Sequence, residues 1–291
     1  MSHCELSEII MQGKTIVVTG GTSGIGEVAA LALAGMGARI VLVARNKGRG
    51  EATLARLEQQ APGVGHRLHY ADLAQLAEMK RVAVEIAAAE PRIDILINNA
   101  GAMFANREVT KDGFEKTFAT DHLSYFVLTA GLRERLLAAG SARIINTSSH
   151  AHKTAQFDIN DLQSTKNYTS FLAYGRAKLA NILFTRELAR RTAGTGVTVN
   201  CLHPGFVATR FGDEAGGLIG HVIGLAKVLA ISPEEGAKTL IYLATAPEVA
   251  TKSGEYFYKS RRTAPARAGR DDAMARALWE KSVALTGVDW V

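Results

Sequence analysis

Cysteine is almost absent from this sequence: Cys4 and Cys201 are the two it has in 291 residues. Two distant cysteines make neither a disulfide framework nor a metal cluster, which fits a reducing, cytoplasmic setting. Cys201 sits in an apolar, strand-like run and reads as a small core residue. Proline is scarce, with 6 residues, and this excludes a proline-rich linker or a collagen-like chain. No run reaches the ~18 uninterrupted apolar residues of a spanning helix. The nearest stretch, 217–231, is broken by His221 and Lys227. The first twelve residues have no basic start and carry Glu5 and Glu8, so neither a secretory leader nor a membrane span is expected. Blocks of like charge are also missing. The net charge of +6 comes from 34 basic residues scattered among 28 acidic ones, which describes a solvated mixed surface rather than a nucleic-acid-binding stripe.

Glycine, by contrast, is plentiful at 28 residues, and the 47% hydrophobic content is that of an ordinary globular core. Short β-branched runs at 15–19, 40–43, 93–97, 143–147 and 197–202 read as buried parallel strands. Helical spacing fills the intervals 27–35, 50–60, 75–89, 114–137 and 174–191. A helix at 234–246, a strand at 255–258 and a helix at 271–284 follow. This alternation implies an α/β domain, a parallel sheet with helices on both faces. No boundary interrupts it, so 1–291 reads as one domain behind a tail at 1–12. Two long irregular stretches, 150–170 and 205–232, follow strand ends, where open α/β sheets bind ligands.

Gly20, Gly21, Thr22, Ser23, Gly24, Ile25 and Gly26 lie between the first strand and the first helix. Glycines there let the backbone approach a pyrophosphate, and the helix N-terminus supplies unpaired N–H groups. The strand-before, helix-after context makes this a dinucleotide-binding turn. The second strand ends in Ala44 followed by Arg45. A carboxylate at that end would select NAD; a guanidinium can pair with the 2′-phosphate of NADP, so NADP(H) is expected over NAD(H). The plain alternative is that Arg45 is a solvated loop charge.

Tyr174 and Lys178 stand four apart on one helix and share a face. Ser148 and Ser149 end the strand 143–147, and Asn98-Asn99-Ala100-Gly101 ends the strand before it. Together with Pro204-Gly205, and in this order, these motifs resemble the short-chain dehydrogenase/reductase family over nearly the whole chain. Ser148-Ser149-His150-Ala151-His152, the run from Ala177 to Phe184, and Leu278-Trp279-Glu280 resemble its retinol-dehydrogenase-like branch. The resemblance implies a single-domain Rossmann-type doubly wound sheet. It selects Ser149 over Ser148 and implies that Lys178 holds the nicotinamide ribose. It also implies that Asp72-Leu73, after the third strand, meets adenine, and that Asn99, Ala100 and Gly101 border the adenine ribose. Pro204, Gly205, Val207 and Thr209 match the segment that meets the carboxamide. Asp72 also fits a helix N-cap. Self-association as a homodimer or homotetramer through the two long helices is a further implication.

Carbonyl reduction needs a hydride donor, an acid and a group that orients the oxygen. Tyr174 is the candidate acid; a free phenol has pKa ~10, so a neighbouring cation such as Lys178 would have to favour the phenolate. Ser149 would hydrogen-bond the substrate oxygen. The family's usual asparagine is replaced by Asp121, which would stabilise Lys178 while weakening its field at Tyr174, or would act as a near-isostere of little consequence. His150 and His152 have no acid or cysteine at ligand spacing, so they read as loop histidines and no metal is expected. The glycine-dotted apolar stretch 205–232 reads as a lid over an apolar aldehyde, ketone or alcohol, or else as a core or interface helix. A soluble NADP(H)-dependent carbonyl reductase or alcohol dehydrogenase is therefore expected. The alternatives are an NADP-binding sensor or scaffold with weak catalysis, and a sugar-nucleotide epimerase, which the modest C-terminal region disfavours.

Overall fold

A computed structural model describes residues 11–205 and 231–290. Val207, Thr209 and nearly all of the expected lid lie outside the described residues. Among the described residues one eight-stranded sheet runs in the order β3-β2-β1-β4-β5-β6-β7-β8. Its strands are β1 (Thr15–Thr19), β2 (Arg39–Ala44), β3 (Arg67–Tyr70), β4 (Ile95–Asn98), β5 (Arg143–Thr147), β6 (Thr198–Leu202), β7 (Tyr256–Tyr258) and β8 (Arg261–Arg262). All pairings are parallel except β7 with β8. The central strands are β-branched runs because both their faces are covered. β3 is an edge strand without a buried residue, and no apolar run marks it in the sequence.

Helices α1 (Gly24–Gly35), α2 (Lys47–Gln60) and α8 (Pro233–Thr245) pack on one face through Ile25, Leu33, Leu57 and Leu240. The other face carries α3 (Leu76–Ala89), α5 (Ser124–Gly131), α7 (Ser170–Arg191) and α9 (Asp272–Thr286). Local chemistry sets the helix starts. Asn46, Thr169, Ser232 and Asp271 each accept a first-turn backbone N–H through a side-chain oxygen. The chain leaves β1 outward to β3, then crosses back to β4. The crevice between the carboxyl ends of β1 and β4 is therefore the switch point where such sheets bind ligands.

The interval 114–137 does not form one helix. A short turn, α4 (Lys116–Phe118), passes into a π-helical turn, Ala119–Leu123, then α5 and α6 (Arg133–Leu137). π-turns recur at functional sites because they re-aim side chains within a continuous helix. This one carries Asp121 and His122, both fully buried.

α9 packs across α7 and α5. The Trp279 ring lies 4.9 Å from that of Phe126 and 5.9 Å from that of Phe184. Residues 121–129 and 177–185 are buried throughout. The faces of the two long helices, through which the resemblance implies self-association, are thus occupied by the chain's own elements.

Candidate active site

The glycine turn is a cradle that side chains would fill. A Cβ on Gly26 would fall 2.3 Å from Gly20 O and 2.4 Å from Asn99 Nδ2. Gly20 and Gly24 adopt positive φ, 65° and 56°, which glycine reaches without strain. Ser23 stands at the N-cap of α1, yet its side chain makes no cap bond, so first-turn amides are left to face a ligand. Thr22 and Ser23 are half-buried, while Ile25 anchors the turn in the core.

Thr19 joins this turn to the loop after β4. Its hydroxyl oxygen accepts the N–H groups of Asn99 (2.9 Å) and Ala100 (3.1 Å). The Asn99 amide donates to Gly20 O and accepts from the Thr147 hydroxyl. The glycine turn, the Asn99–Gly101 loop and the end of β5 are so held as one floor. The cradle and its uncapped helix end fit the pyrophosphate of a dinucleotide.

Ser149, Tyr174, Lys178 and Asp121 converge above that floor. Tyr174 and Lys178 lie on successive turns of α7, and the Ser149 side chain acts on the Tyr174 phenol so as to favour its ionised form. The Lys178 Nζ lies 3.0 Å from Asp121 Oδ2, 3.4 Å from Thr147 O and 5.4 Å from the Tyr174 ring centre. Asp121 Oδ1 accepts the Ala102 N–H at 2.8 Å. Ser148 points the other way, donating to Lys178 O at 2.8 Å, as strand alternation requires. A Cβ on Gly101 would lie 2.9 Å from both Asp121 Oδ2 and Lys178 Nζ, so the ion pair is roofed by bare backbone.

The electrostatics are set by burial. Burial raises the Tyr174 phenol above its ordinary range; the Asp121 charge raises it further, and the Ser149 hydrogen bond opposes both. A lysine neighbour alone would imply lowering, but here Asp121 cancels much of that field. Burial likewise pushes Asp121 upward, against the attraction of Lys178.

A second ring of residues supports the first. Asn181 donates to Asp121 O (2.8 Å) and Thr147 O (3.3 Å). His122 contacts Asn181 Oδ1 through Nδ1 (3.2 Å) and Ser282 Oγ through Nε2 (3.1 Å). The Tyr125 hydroxyl donates to Ala100 O at 2.9 Å. His152 is buried, not a solvated loop residue. Its Nε2 accepts the Ala266 N–H, which leaves Nδ1 to donate to Ser149 O at 2.6 Å. Asn181 shares a helix with Lys178, three residues on, and that spacing could have drawn attention to it. Ser282 carries no such signal.

Other positions fall around the crevice. Arg45 is exposed immediately after β2. Leu73 is buried. Asp72 does not cap α3: its carboxylate accepts from Ala74 N and Gln75 Nε2, the N-cap residue is Gln75, and the Leu76 N–H is taken by Asp112. Pro204 and Gly205 follow β6, and the Gly205 N–H donates to His203 Nδ1 at 3.2 Å. Burial beside His150 and His152 lowers His203 to about 4, consistent with a neutral acceptor. Among the described residues no cluster of three or more His, Cys, Asp or Glu could hold a metal ion, and no helix is long and apolar enough to cross a membrane.

The short chain dehydrogenase family profile matches residues 14–216. Human retinol dehydrogenase 13 is 40% identical over 97% of this chain and 87% of its own length. Retinol dehydrogenase 14 of Mus musculus is 39% identical over 96% and 87%. A solved but uncharacterized protein of Mycobacterium paratuberculosis superposes with a TM-score of 0.77, at 30% identity over 96% of both chains. With its parallel sheet, glycine turn and Ser149–Tyr174–Lys178 grouping, the chain belongs to the short-chain dehydrogenase/reductase family, in its retinol-dehydrogenase-like branch.

Proposed function

We propose that this oxidoreductase interconverts an apolar aldehyde or ketone and its alcohol, using NADP(H), with Tyr174 as general acid and base. The observation that carries the reading is one helix presenting Tyr174 and Lys178 together, the Lys178 Nζ 5.4 Å from the Tyr174 ring centre, beside the glycine cradle. The nicotinamide supplies or accepts the hydride when bound. The chain's own residues handle the rest. Ser149 donates to the carbonyl oxygen and orients it. Tyr174 gives that oxygen a proton in reduction and removes the hydroxyl proton in oxidation. Lys178 holds the nicotinamide ribose and favours the phenolate, and Asp121 fixes the ammonium in place. Asp72, Leu73, Asn99, Ala100 and Gly101 border the adenosine end.

Arg45 supports the choice of NADP, as a cation placed where a carboxylate would read the ribose. Relatives named for retinol, an apolar alcohol, support the substrate class. The two cysteines of the sequence support a cytoplasmic site. One observation favours an NADP-binding sensor with weak catalysis instead: the Asp121 charge acts against the phenolate. Nicotinamide absorbance across a carbonyl panel, with NADPH and NADH in parallel, separates the two. Turnover with NADPH that is lost in Tyr174→Phe, with binding retained, supports the enzyme. Saturable binding without turnover favours the sensor.

A further inference from the structure

We propose that Ser282, His122 and Asn181 form a positioning chain that fixes the Lys178–Asp121 pair, making the distant helix α9 a working part of the active site. The catalytic half of this inference rests on the function proposed above.

The direction of the bond between Asn181 and His122 is forced. The Asn181 amide nitrogen faces two carbonyl oxygens, Asp121 O and Thr147 O. Flipping the amide would set Oδ1 against both, so the nitrogen stays there and Oδ1 faces His122 Nδ1. Oδ1 can only accept, so Nδ1 carries the proton. Burial lowers His122 to about 4, so the ring is neutral near pH 7 and Nε2 is an acceptor. The Ser282 hydroxyl lies 3.1 Å from Nε2 and 2.8 Å from Leu278 O. Leu278 O keeps its helical bond whichever way the rotor turns. Among the described residues Nε2 has no other donor, and leaving it bare while buried is costly. The Ser282 hydroxyl, which donates to Leu278 O, is thus also the one donor among them within reach of Nε2.

The chain ends on the reacting machinery. Its two terminal carbonyls flank Lys178: Thr147 O accepts from Nζ at 3.4 Å, and Asp121 O belongs to the residue whose carboxylate pairs with that Nζ. Releasing the Asn181 amide frees both supports together. The ring itself sits among Phe118 and Phe184, where a phenylalanine would keep the ring packing. An imidazole bonded at both nitrogens there specifies one arrangement of its neighbours.

The test compares full-length wild type, His122→Phe, His122→Asn and Ser282→Ala. The asparagine amide nitrogen can reach the place of Nδ1; phenylalanine keeps the packing and removes the donor. His122→Phe is expected to lower kcat about tenfold or more, with carbonyl KM and NADPH affinity within about twofold. His122→Asn should recover most of kcat, and Ser282→Ala should show a smaller loss in the same direction. The Asn181 side-chain amide, followed by hydrogen exchange in NMR, should be protected in wild type and His122→Asn and exposed in His122→Phe. Wild-type kcat in His122→Phe, no recovery in His122→Asn, or an unprotected amide in wild type overturns the proposal. If His122→Phe does not fold, Ser282→Ala carries the same comparison, and unchanged kcat and amide protection there overturn it. A wild type that turns over no carbonyl defeats the proposed function, while amide protection still decides whether the chain holds Asn181.

Discussion

Lys178 and Asp121 form a buried ion pair, Nζ to Oδ2 at 3.0 Å, with neither side chain open to solvent. Such a pair loses its hydration, and the loss is offset by mutual attraction and by the Ala102 N–H on Oδ1. Its charge balance reaches Tyr174, whose phenol the Asp121 carboxylate raises.

Asp121→Asn removes that negative charge and should lower the Tyr174 pKa. In the proposed mechanism alcohol oxidation uses the phenolate, so the ascending limb of its pH–rate profile should move to lower pH, by about one unit. Initial rates across pH read this directly, and an identical profile in the variant would remove Asp121 from the account.

Gly26→Ala places a Cβ 2.3 Å from Gly20 O and 2.4 Å from Asn99 Nδ2. The turn must then open. Stability should fall by about 1–3 kcal/mol, and NADPH should bind about tenfold or more weakly, as its cradle deforms. Denaturant unfolding and a fluorescence titration measure the two. Wild-type cofactor affinity would place the pyrophosphate elsewhere.

Arg45→Asp exchanges the proposed phosphate partner for a group that accepts from a ribose hydroxyl. The NADPH-over-NADH ratio of kcat/KM should fall by about 100-fold or more, toward inversion. Parallel kinetics with both cofactors decide this; an unmoved ratio assigns the 2′-phosphate to another residue.

His122 makes the fold acid-sensitive. It is held near 4 in the native state against ~6.5 when unfolded. Between those values the unfolded chain binds a proton that the native chain refuses. The stability linked to the neutral ring is therefore complete above the unfolded value and falls away as pH drops toward 4. His203 acts with the same sign, whereas the upward-shifted Glu115 and Asp121 act with the opposite one. Comparing wild type with His122→Phe cancels these. The wild type should lose about 2 kcal/mol more than the variant between pH 8 and pH 5, read from denaturant midpoints at each pH.

The cofactor turn and the Tyr174–Lys178 pair were legible because each is local. One is a strand, a turn and a helix in series; the other is two residues on one helical face. The π-turn at Ala119–Leu123 was not, since 114–137 keeps its apolar spacing while the backbone register slips by one. β3 was implied by the resemblance alone, because an edge strand buries too little to need an apolar run. The cap at α3 was misplaced because Asp112, 36 residues away, supplies the acceptor for Leu76. The role of His152 was hidden because its partner, Ala266, is 114 positions distant. Local chemistry writes itself into spacing; contacts between remote segments leave only single buried polar residues.

The bond between His122 and Ser282 spans 160 positions, and this bears on how the molecule comes into being. Closing so wide a loop is among the slower events in folding. Refolding from denaturant should therefore restore helical content before turnover, with the lag set by the docking of α9.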